Sequence, residues 1–148
     1  MPAQSTMIPQ QQLIEAARAP LLGFNEKDWK AVRAAITPGF VYDEVATGRT
    51  ARGADDVIAL WQGWASAFPD ARASFHRELS SGDSVVFEVT WRGTHQGPLQ
   101  TPEGAVPPTG KRIEVRACFV VDMQDDKPAR ERHYFDMGTL LQQIGVGS

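Results

Sequence analysis

Four segments in the second half of the chain alternate between apolar and polar residues with a period of two: residues 71–79, 84–95, 111–121 and 129–136. Such alternation is typical of β-strands that place one face against a core and the other in water. Ser80-Ser81-Gly82-Asp83 is a strong hairpin turn, and Asp125-Asp126-Lys127-Pro128 turns the chain between the last two segments. Consecutive strands joined by such turns predict an antiparallel sheet.

The first half of the chain instead carries apolar residues at helical spacing. A first helix is expected to begin near Pro9, and Pro20 should end or kink it. Asn25 is a good N-cap for a second helix. After a short strand at residues 40–45, a third helix is expected over residues 54–68.

The order of these elements indicates the fold class. Helices followed by a run of strands predict an α+β fold, with helices packed on one face of an antiparallel sheet. A loop at residues 96–110 and a short helix that ends before Gly145 complete the chain. A length of 148 residues suits one domain. We therefore expect a flexible leader at residues 1–8 and a single domain at residues 9–146.

Composition excludes several classes of protein. Acidic and basic residues are interspersed and the formal net charge is −3, so there is no basic stripe for a nucleic acid. No apolar stretch is long enough to span a bilayer, and the N-terminus lacks the features of a secretory signal. The single cysteine, Cys118, cannot form an internal disulfide. We expect a soluble, cytoplasmic protein.

The three histidines give no indication of a metal site. His76, His95 and His133 form no helical pair and have no accompanying cysteines. Glycines near the middle of the chain lie in a hairpin region and not between a strand and a helix, so they do not form a phosphate loop. We expect neither a metal nor a cofactor.

Three groups of motifs occur in an informative order along the chain. They are Gly53-Ala54-Asp55-Asp56-Val57 with the segment from Trp64 to Asp70, Gly93-Thr94-His95-Gln96-Gly97 with Pro107-Pro108-Thr109-Gly110-Lys111, and His133-Tyr134-Phe135-Asp136 with Leu140-Leu141-Gln142-Gln143-Ile144-Gly145. Together they resemble the SnoaL-like polyketide cyclases of the nuclear transport factor 2-like superfamily, over residues 9–146. The resemblance implies a cone-shaped, curved antiparallel sheet packed on N-terminal helices, also described as a cystatin-like roll, with one deep pocket.

The resemblance also implies a chemistry and a residue for it. Asp136 matches the aspartate that acts as acid and base in SnoaL-type cyclases. A carboxylate in an apolar cavity has a raised pKa and can accept a proton from a carbon next to a carbonyl. The alternative is that Asp136 caps the final helix. The antibiotic cyclases usually have a Glu-His-Trp run before this aspartate, whereas Arg132-His133-Tyr134-Phe135 stands here, as in other SnoaL-like proteins.

Strand parity supplies further candidates. His95 shares parity with the apolar residues of its strand, so it could polarise a substrate carbonyl or shuttle a proton, or else be tied to the following loop. Tyr134 shares parity with Asp136 and could bind a substrate oxygen. His133 has the opposite parity and is not expected on the face of Asp136. Asp43 lies in the region where the related ketosteroid isomerases have a general base.

Aromatic residues suggest the walls of a pocket for a flat hydrophobic ligand. The candidates are Trp61, Trp64, Phe87 and Trp91, although aromatic residues at such spacings are usually ordinary core. The leading hypothesis is a cofactor-independent cyclase that performs aldol-type acid/base chemistry on a hydrophobic carbonyl compound, with Asp136 and His95 as catalytic residues.

Three alternatives stay open at this point. They are a ketosteroid-isomerase-like enzyme, an epoxide-hydrolase-like enzyme, and a non-catalytic module that binds a small molecule. A homodimer is expected through an open face of the sheet, since dimers of this kind are common in the fold.

Overall fold

The structure is a computed structural model that describes residues 9–146, so the predicted leader at residues 1–8 lies outside the described residues. The chain first forms two helices, two short strands and a third helix: α1 (Gln10–Asn25), α2 (Trp29–Ala34), β1 (Val41–Glu44), β2 (Arg49–Arg52) and α3 (Ala54–Ala67). The rest forms the long strands, a small hairpin and a last helix: β3 (Arg72–Ser81), β4 (Ser84–Thr94), β5 (Leu99–Thr101), β6 (Gly104–Val106), β7 (Arg112–Gln124), β8 (Lys127–Phe135) and α4 (Met137–Gln143).

The main sheet has the strand order β2-β1-β8-β7-β4-β3. All neighbours pair antiparallel except β1 and β8, which run parallel, with Tyr42 opposite Glu131 and Glu44 opposite His133. The register of β3 shifts between Phe75 and Arg77, and such bulges bend a sheet. The predicted α+β fold with a curved, mostly antiparallel sheet is confirmed.

The core lies between one face of this sheet and the helices. Alternate residues of β4 and β7 point into it, including Val85, Phe87, Val89, Phe119 and Val121, all of which are buried. Burying such side chains contributes roughly 1.5–3 kcal/mol each. The period of two in the sequence therefore corresponds directly to the inner and outer faces of the sheet.

Two predictions for the first helices were wrong. Pro20 does not end α1, which continues to Asn25 with Leu21 and Phe24 anchoring its last turn in the core. Asn25 does not cap α2; its amide donates to the carbonyl oxygen of Ala73 at 3.0 Å and its carbonyl accepts from the Ala73 N–H at 2.8 Å. The N-cap of α2 is Asp28.

Two short hairpins were not predicted. β2 pairs with β1 across the loop that begins after Glu44, and β5 pairs with β6 inside the proline-containing segment at residues 96–110. Each has only three or four residues per strand, which is too short for a clear period of two. On the outer face of the main sheet, Glu88, Arg92, Glu114 and Arg116 are exposed as expected, while Thr90 is covered by a contact with His76.

Candidate active site

A cavity lies between the inner face of the sheet and helices α1, α3 and α4. Phenylalanine, tyrosine and tryptophan side chains supply more than half of its lining residues: Phe24, Tyr42, Trp61, Trp64, Phe68, Trp91, Phe119 and Phe135. The space has a volume of about 630 Å³ with its open mouth included. Among the described residues, no aspartate, glutamate, lysine or arginine lines it. The cavity is therefore narrow and suited to uncharged, flat ligands.

His133, on β8, is the one titratable imidazole in this wall. Its ring stacks on Phe119, with ring centroids 4.0 Å apart and an angle of 14° between the planes, and it also contacts Phe135. Burial among these rings lowers the pKa of His133 to about 3, because desolvation disfavours the imidazolium. The imidazole is neutral at physiological pH and keeps a lone pair on one ring nitrogen.

Both ring nitrogens of His133 are hydrogen-bonded. The indole Nε1–H of Trp91, which also lines the cavity, donates to Nε2 over 3.2 Å. On the other side, the hydroxyl oxygen of Tyr42 lies 2.7 Å from Nδ1. Tyr42 is on β1, which runs parallel to β8, and its hydroxyl also donates to Oε2 of Glu44 over 3.0 Å. A continuous chain of hydrogen bonds thus leads from the cavity to Glu44.

Glu44 is completely buried and fully hydrogen-bonded. Arg49 donates two hydrogen bonds to Oε1, of 2.9 and 2.7 Å, and the Thr47 hydroxyl donates a third of 2.6 Å. Oε2 accepts from the Trp64 indole over 2.6 Å as well as from Tyr42. This set of donors holds the carboxyl group of Glu44 firmly in place, because both of its oxygens accept several hydrogen bonds.

Glu131 is a second buried carboxyl group beside the chain, but it is not part of it. It lies opposite Tyr42 in the β1–β8 register and is completely buried. Neither of its oxygens has a hydrogen-bond partner within residues 9–146. Desolvation raises the pKa of Glu131 to about 8, so this group is mostly protonated at neutral pH.

Comparison with known proteins places this architecture in a family. The family model described as SnoaL-like polyketide cyclase matches residues 14–144. The chain belongs to this family. A search of curated proteins found no significant match to this SnoaL-like protein.

Solved structures share the fold of this SnoaL-like protein. TsrD from Streptomyces laurentii superposes with a TM-score of 0.81 at 21% identity, covering 95% of this chain and 100% of TsrD. AclR from Streptomyces galilaeus gives 0.79 at 21% identity, covering 95% and 100% of the two chains. IdmH from Streptomyces antibioticus gives 0.77 at 26% identity, covering 91% and 99%.

Asp136 and Tyr134 lie outside the cavity of this SnoaL-like protein. The Asp136 carboxylate caps α4, accepting from the Gly138 N–H at 3.0 Å and the Thr139 hydroxyl at 2.8 Å. These bonds, that of Thr139 first, lower the pKa of Asp136, opposite to the direction expected for a carboxylate in an apolar cavity. The expectation that Asp136 faces the pocket is wrong, because its parity points to the outer side of β8. Tyr134 shares that parity and is 41% exposed.

His95 is buried behind the cavity and not in its wall. Its Nδ1 accepts from the Thr109 N–H at 3.2 Å and lies 3.0 Å from the Thr109 hydroxyl, and its ring packs on Phe68. Burial lowers the pKa of His95. Its Nε2 has no hydrogen-bond partner within residues 9–146. The tie to the following loop, one of the two possibilities for this residue, is the arrangement that the structure shows.

The remaining candidates divide between wall, core and surface. Trp61, Trp64 and Trp91 line the cavity, whereas Phe87 is buried against Phe75 behind it. Asp43 points to the outer face of β1, where it accepts hydrogen bonds from Thr50 and Arg130. It is the neighbouring Tyr42 that enters the cavity.

Sequence reasoning missed His133, Tyr42 and Glu44 as a group. Parity correctly placed His133 and Asp136 on opposite faces of β8, but Asp136 was expected in the cavity, whereas His133 lines it. A usable signal was present: Arg130 and Arg132 share the parity of Asp136, and two arginines on one face of a strand indicate the solvent side.

Within residues 9–146, no three His, Cys, Asp or Glu side chains are arranged to hold a metal ion. No helix in that range is both long enough and apolar enough to cross a membrane.

Proposed function

We propose that this SnoaL-like protein is a cofactor-independent enzyme in which His133 removes a proton next to a carbonyl group of an uncharged hydrophobic compound. The observation that carries the proposal is a neutral imidazole, hydrogen-bonded on both nitrogens, in the wall of an otherwise apolar cavity. Burial keeps the imidazole unprotonated at physiological pH, so its lone pair is free to accept a proton. Because a pKa of about 3 describes a weak base, the negative charge that develops on the bound substrate must raise the pKa of His133 as the proton is transferred.

The pair formed by His133 and Trp91 suits an enolisable group. Nε2 of His133 and Nε1 of Trp91 are 3.2 Å apart, one an acceptor and the other a donor. A ligand that separates them would place its C–H against the acceptor and its carbonyl oxygen against the donor. The indole N–H would then stabilise the negative charge that develops on the oxygen of the enolate.

The reaction follows from this arrangement. Nε2 takes the proton from the carbon, and the electron pair of the broken C–H bond forms the enolate. The enolate carbon attacks a second carbonyl carbon of the same molecule, which closes a ring, and the resulting alkoxide takes the proton back from Nε2. No oxidant or cofactor is consumed.

The choice of ring closure rests on the family, since the fold serves several activities. IdmH is described as a putative polyketide cyclase and AclR as a putative hydroxylase. Isomerisation of an enone begins with the same proton removal, so the cavity supports it as well. The narrow space requires a flat ligand or a movement of the aromatic wall.

Exchange of carbon-bound hydrogen tests the proposal without knowledge of the natural substrate. Aromatic ketones and β-diketones in D2O are incubated with the protein, and loss of the α-proton signal is followed by NMR. Wild type should accelerate exchange of at least one compound, and His133→Gln should reduce that rate by roughly 10²–10⁴-fold. The matched variant Asp136→Asn should keep the wild-type rate.

Two results would contradict this assignment. Loss of exchange in Asp136→Asn, together with an active His133→Gln, would identify Asp136 and not His133 as the base. Saturable binding of the compounds with no acceleration by wild type would identify a binding module and not an enzyme.

A further inference from the structure

We propose that Glu44 is a positioning residue that acts through Tyr42 to hold the proton of His133 on Nδ1 and so to keep Nε2 free as the base. This inference rests on the proposed function of His133, but its structural part can be tested without any turnover. Glu44 itself does not line the cavity and would not touch the substrate.

Trp91, at the cavity end of the hydrogen-bonded chain, determines which nitrogen of His133 accepts and which donates. An indole nitrogen can only donate, so Nε2 of His133, 3.2 Å from Nε1 of Trp91, must accept. A neutral imidazole carries one proton, and with Nε2 accepting, that proton is on Nδ1. Nδ1–H therefore donates to the hydroxyl oxygen of Tyr42, 2.7 Å away.

The other end of the chain gives the same direction independently. The hydroxyl of Tyr42 has a single proton, which it donates to Oε2 of Glu44 over 3.0 Å. A carboxylate accepts only, and Arg49 holds Glu44 in place from the opposite side with two hydrogen bonds to Oε1. With its proton committed to Glu44, the hydroxyl of Tyr42 can only accept from His133.

The opposite tautomer would break this agreement at both ends. A proton on Nε2 would set two N–H donors against each other across the 3.2 Å between His133 and Trp91. It would also make Nδ1 an acceptor without a donor, because the hydroxyl of Tyr42 already donates its one proton to Glu44. The parallel pairing of β1 with β8 produces this arrangement, because it sets Glu44 beside His133 and places Tyr42 two residues earlier on the same face of β1.

Ring 15N spectra of histidine-labelled protein test the assignment directly, since protonated and unprotonated ring nitrogens have distinct shifts. In wild type, His133 should appear as the neutral Nδ1–H form. Glu44→Gln should raise the fraction of the Nε2–H form above that of wild type, because the indole of Trp91, 3.2 Å from Nε2, is then the one remaining group that favours Nδ1–H. The new amide cannot present an oxygen to Arg49 and to the Tyr42 hydroxyl together, so the direction of the Tyr42 proton is lost.

Two further variants control this result. Glu131→Gln changes a buried carboxyl group that lies opposite Tyr42 but forms no hydrogen bond with Tyr42, Glu44 or His133. This variant should leave the tautomer of His133 unchanged. Tyr42→Phe leaves Nδ1–H without its acceptor and should also raise the fraction of the Nε2–H form, which keeps the test usable if Glu44→Gln does not fold. Glu44→Asp should restore the Nδ1–H form at least in part.

Exchange kinetics separate this inference from the proposed function. Glu44→Gln should lower kcat/KM by at least roughly tenfold with little change in the affinity for the ketone, because a histidine in the wrong tautomer binds ligand but is not a base. An Nε2–H form in wild type, or an unchanged tautomer in both Glu44→Gln and Tyr42→Phe, would overturn the inference. An Nδ1–H form with no exchange by wild type would overturn the proposed function only.

Discussion

Glu131 makes the stability of the fold depend on pH in a direction that can be calculated. Its pKa is about 8 in the folded chain, against the ordinary glutamate value of 4.5 that applies to the unfolded chain. Between these values the folded chain holds a proton that the unfolded chain has released. The free energy of unfolding therefore falls as pH rises through this range, by about 1.4 kcal/mol per pH unit where the difference is complete.

His133 acts in the opposite sense and at lower pH. Its folded pKa of about 3 is below the ordinary histidine value of 6.5, so its contribution to stability is present above pH 6.5 and is lost as pH falls toward 3. The two effects largely cancel between pH 4.5 and 6.5. The effect of Glu131 is therefore clearest between pH 6.5 and 8, where it should amount to roughly 1.5 kcal/mol.

Urea unfolding of wild type and Glu131→Gln, followed by tryptophan fluorescence, measures this effect. The free energy of unfolding of the variant minus that of wild type should increase by roughly 1.5 kcal/mol from pH 6.5 to 8. Taking the difference removes the contributions of the histidines. Glu88→Gln removes an exposed carboxyl group on β4 and is the matched control. Its free energy of unfolding should depend on pH as that of wild type does. If Glu131→Gln showed the same dependence, Glu131 would not be a buried neutral acid.

Two further predictions concern the packing that holds the cavity. Asn25→Ala removes both hydrogen bonds to Ala73 from a buried site and should lower the free energy of unfolding by roughly 2–4 kcal/mol, as measured by urea unfolding; a loss below about 0.5 kcal/mol would contradict that contact. In Gly97→Ala the new Cβ would lie 2.1 Å from the carbonyl oxygen of Ser66, so a lower melting temperature is expected, whereas Gly39→Ala, with open space around it, should melt close to wild type.

The fold was predictable because its long elements have clear periods. Residues 84–95 alternate over their whole length, and the structure has β4 at Ser84–Thr94. The short pairs β1–β2 and β5–β6 were not predictable in the same way, since their positions depend on contacts with distant parts of the chain. The parallel pairing of β1 with β8 is of this kind, and it is what joins Tyr42 to His133.

The site was only partly predictable for a related reason. Alternation shows which residues share a face of a strand, but not which face is inside. For β8 the family motif indicated Asp136 as the site residue, whereas the polar side chains that the structure buries on this strand are Glu131 and His133. A buried glutamate beside a buried histidine is an unusual inner face, and only the packing of β1 against β8 explains how Tyr42 and Glu44 accommodate the histidine.

A crystal structure of the protein with the ketone or diketone that exchanges fastest tests the central claim most directly. We predict that the ligand occupies the aromatic cavity, with its acidic carbon beside Nε2 of His133, its carbonyl oxygen within roughly 2.6–3.2 Å of Nε1 of Trp91, and the bond between His133 and Trp91 broken. A ligand bound beside Asp136, with that bond intact at its present 3.2 Å, would contradict the account.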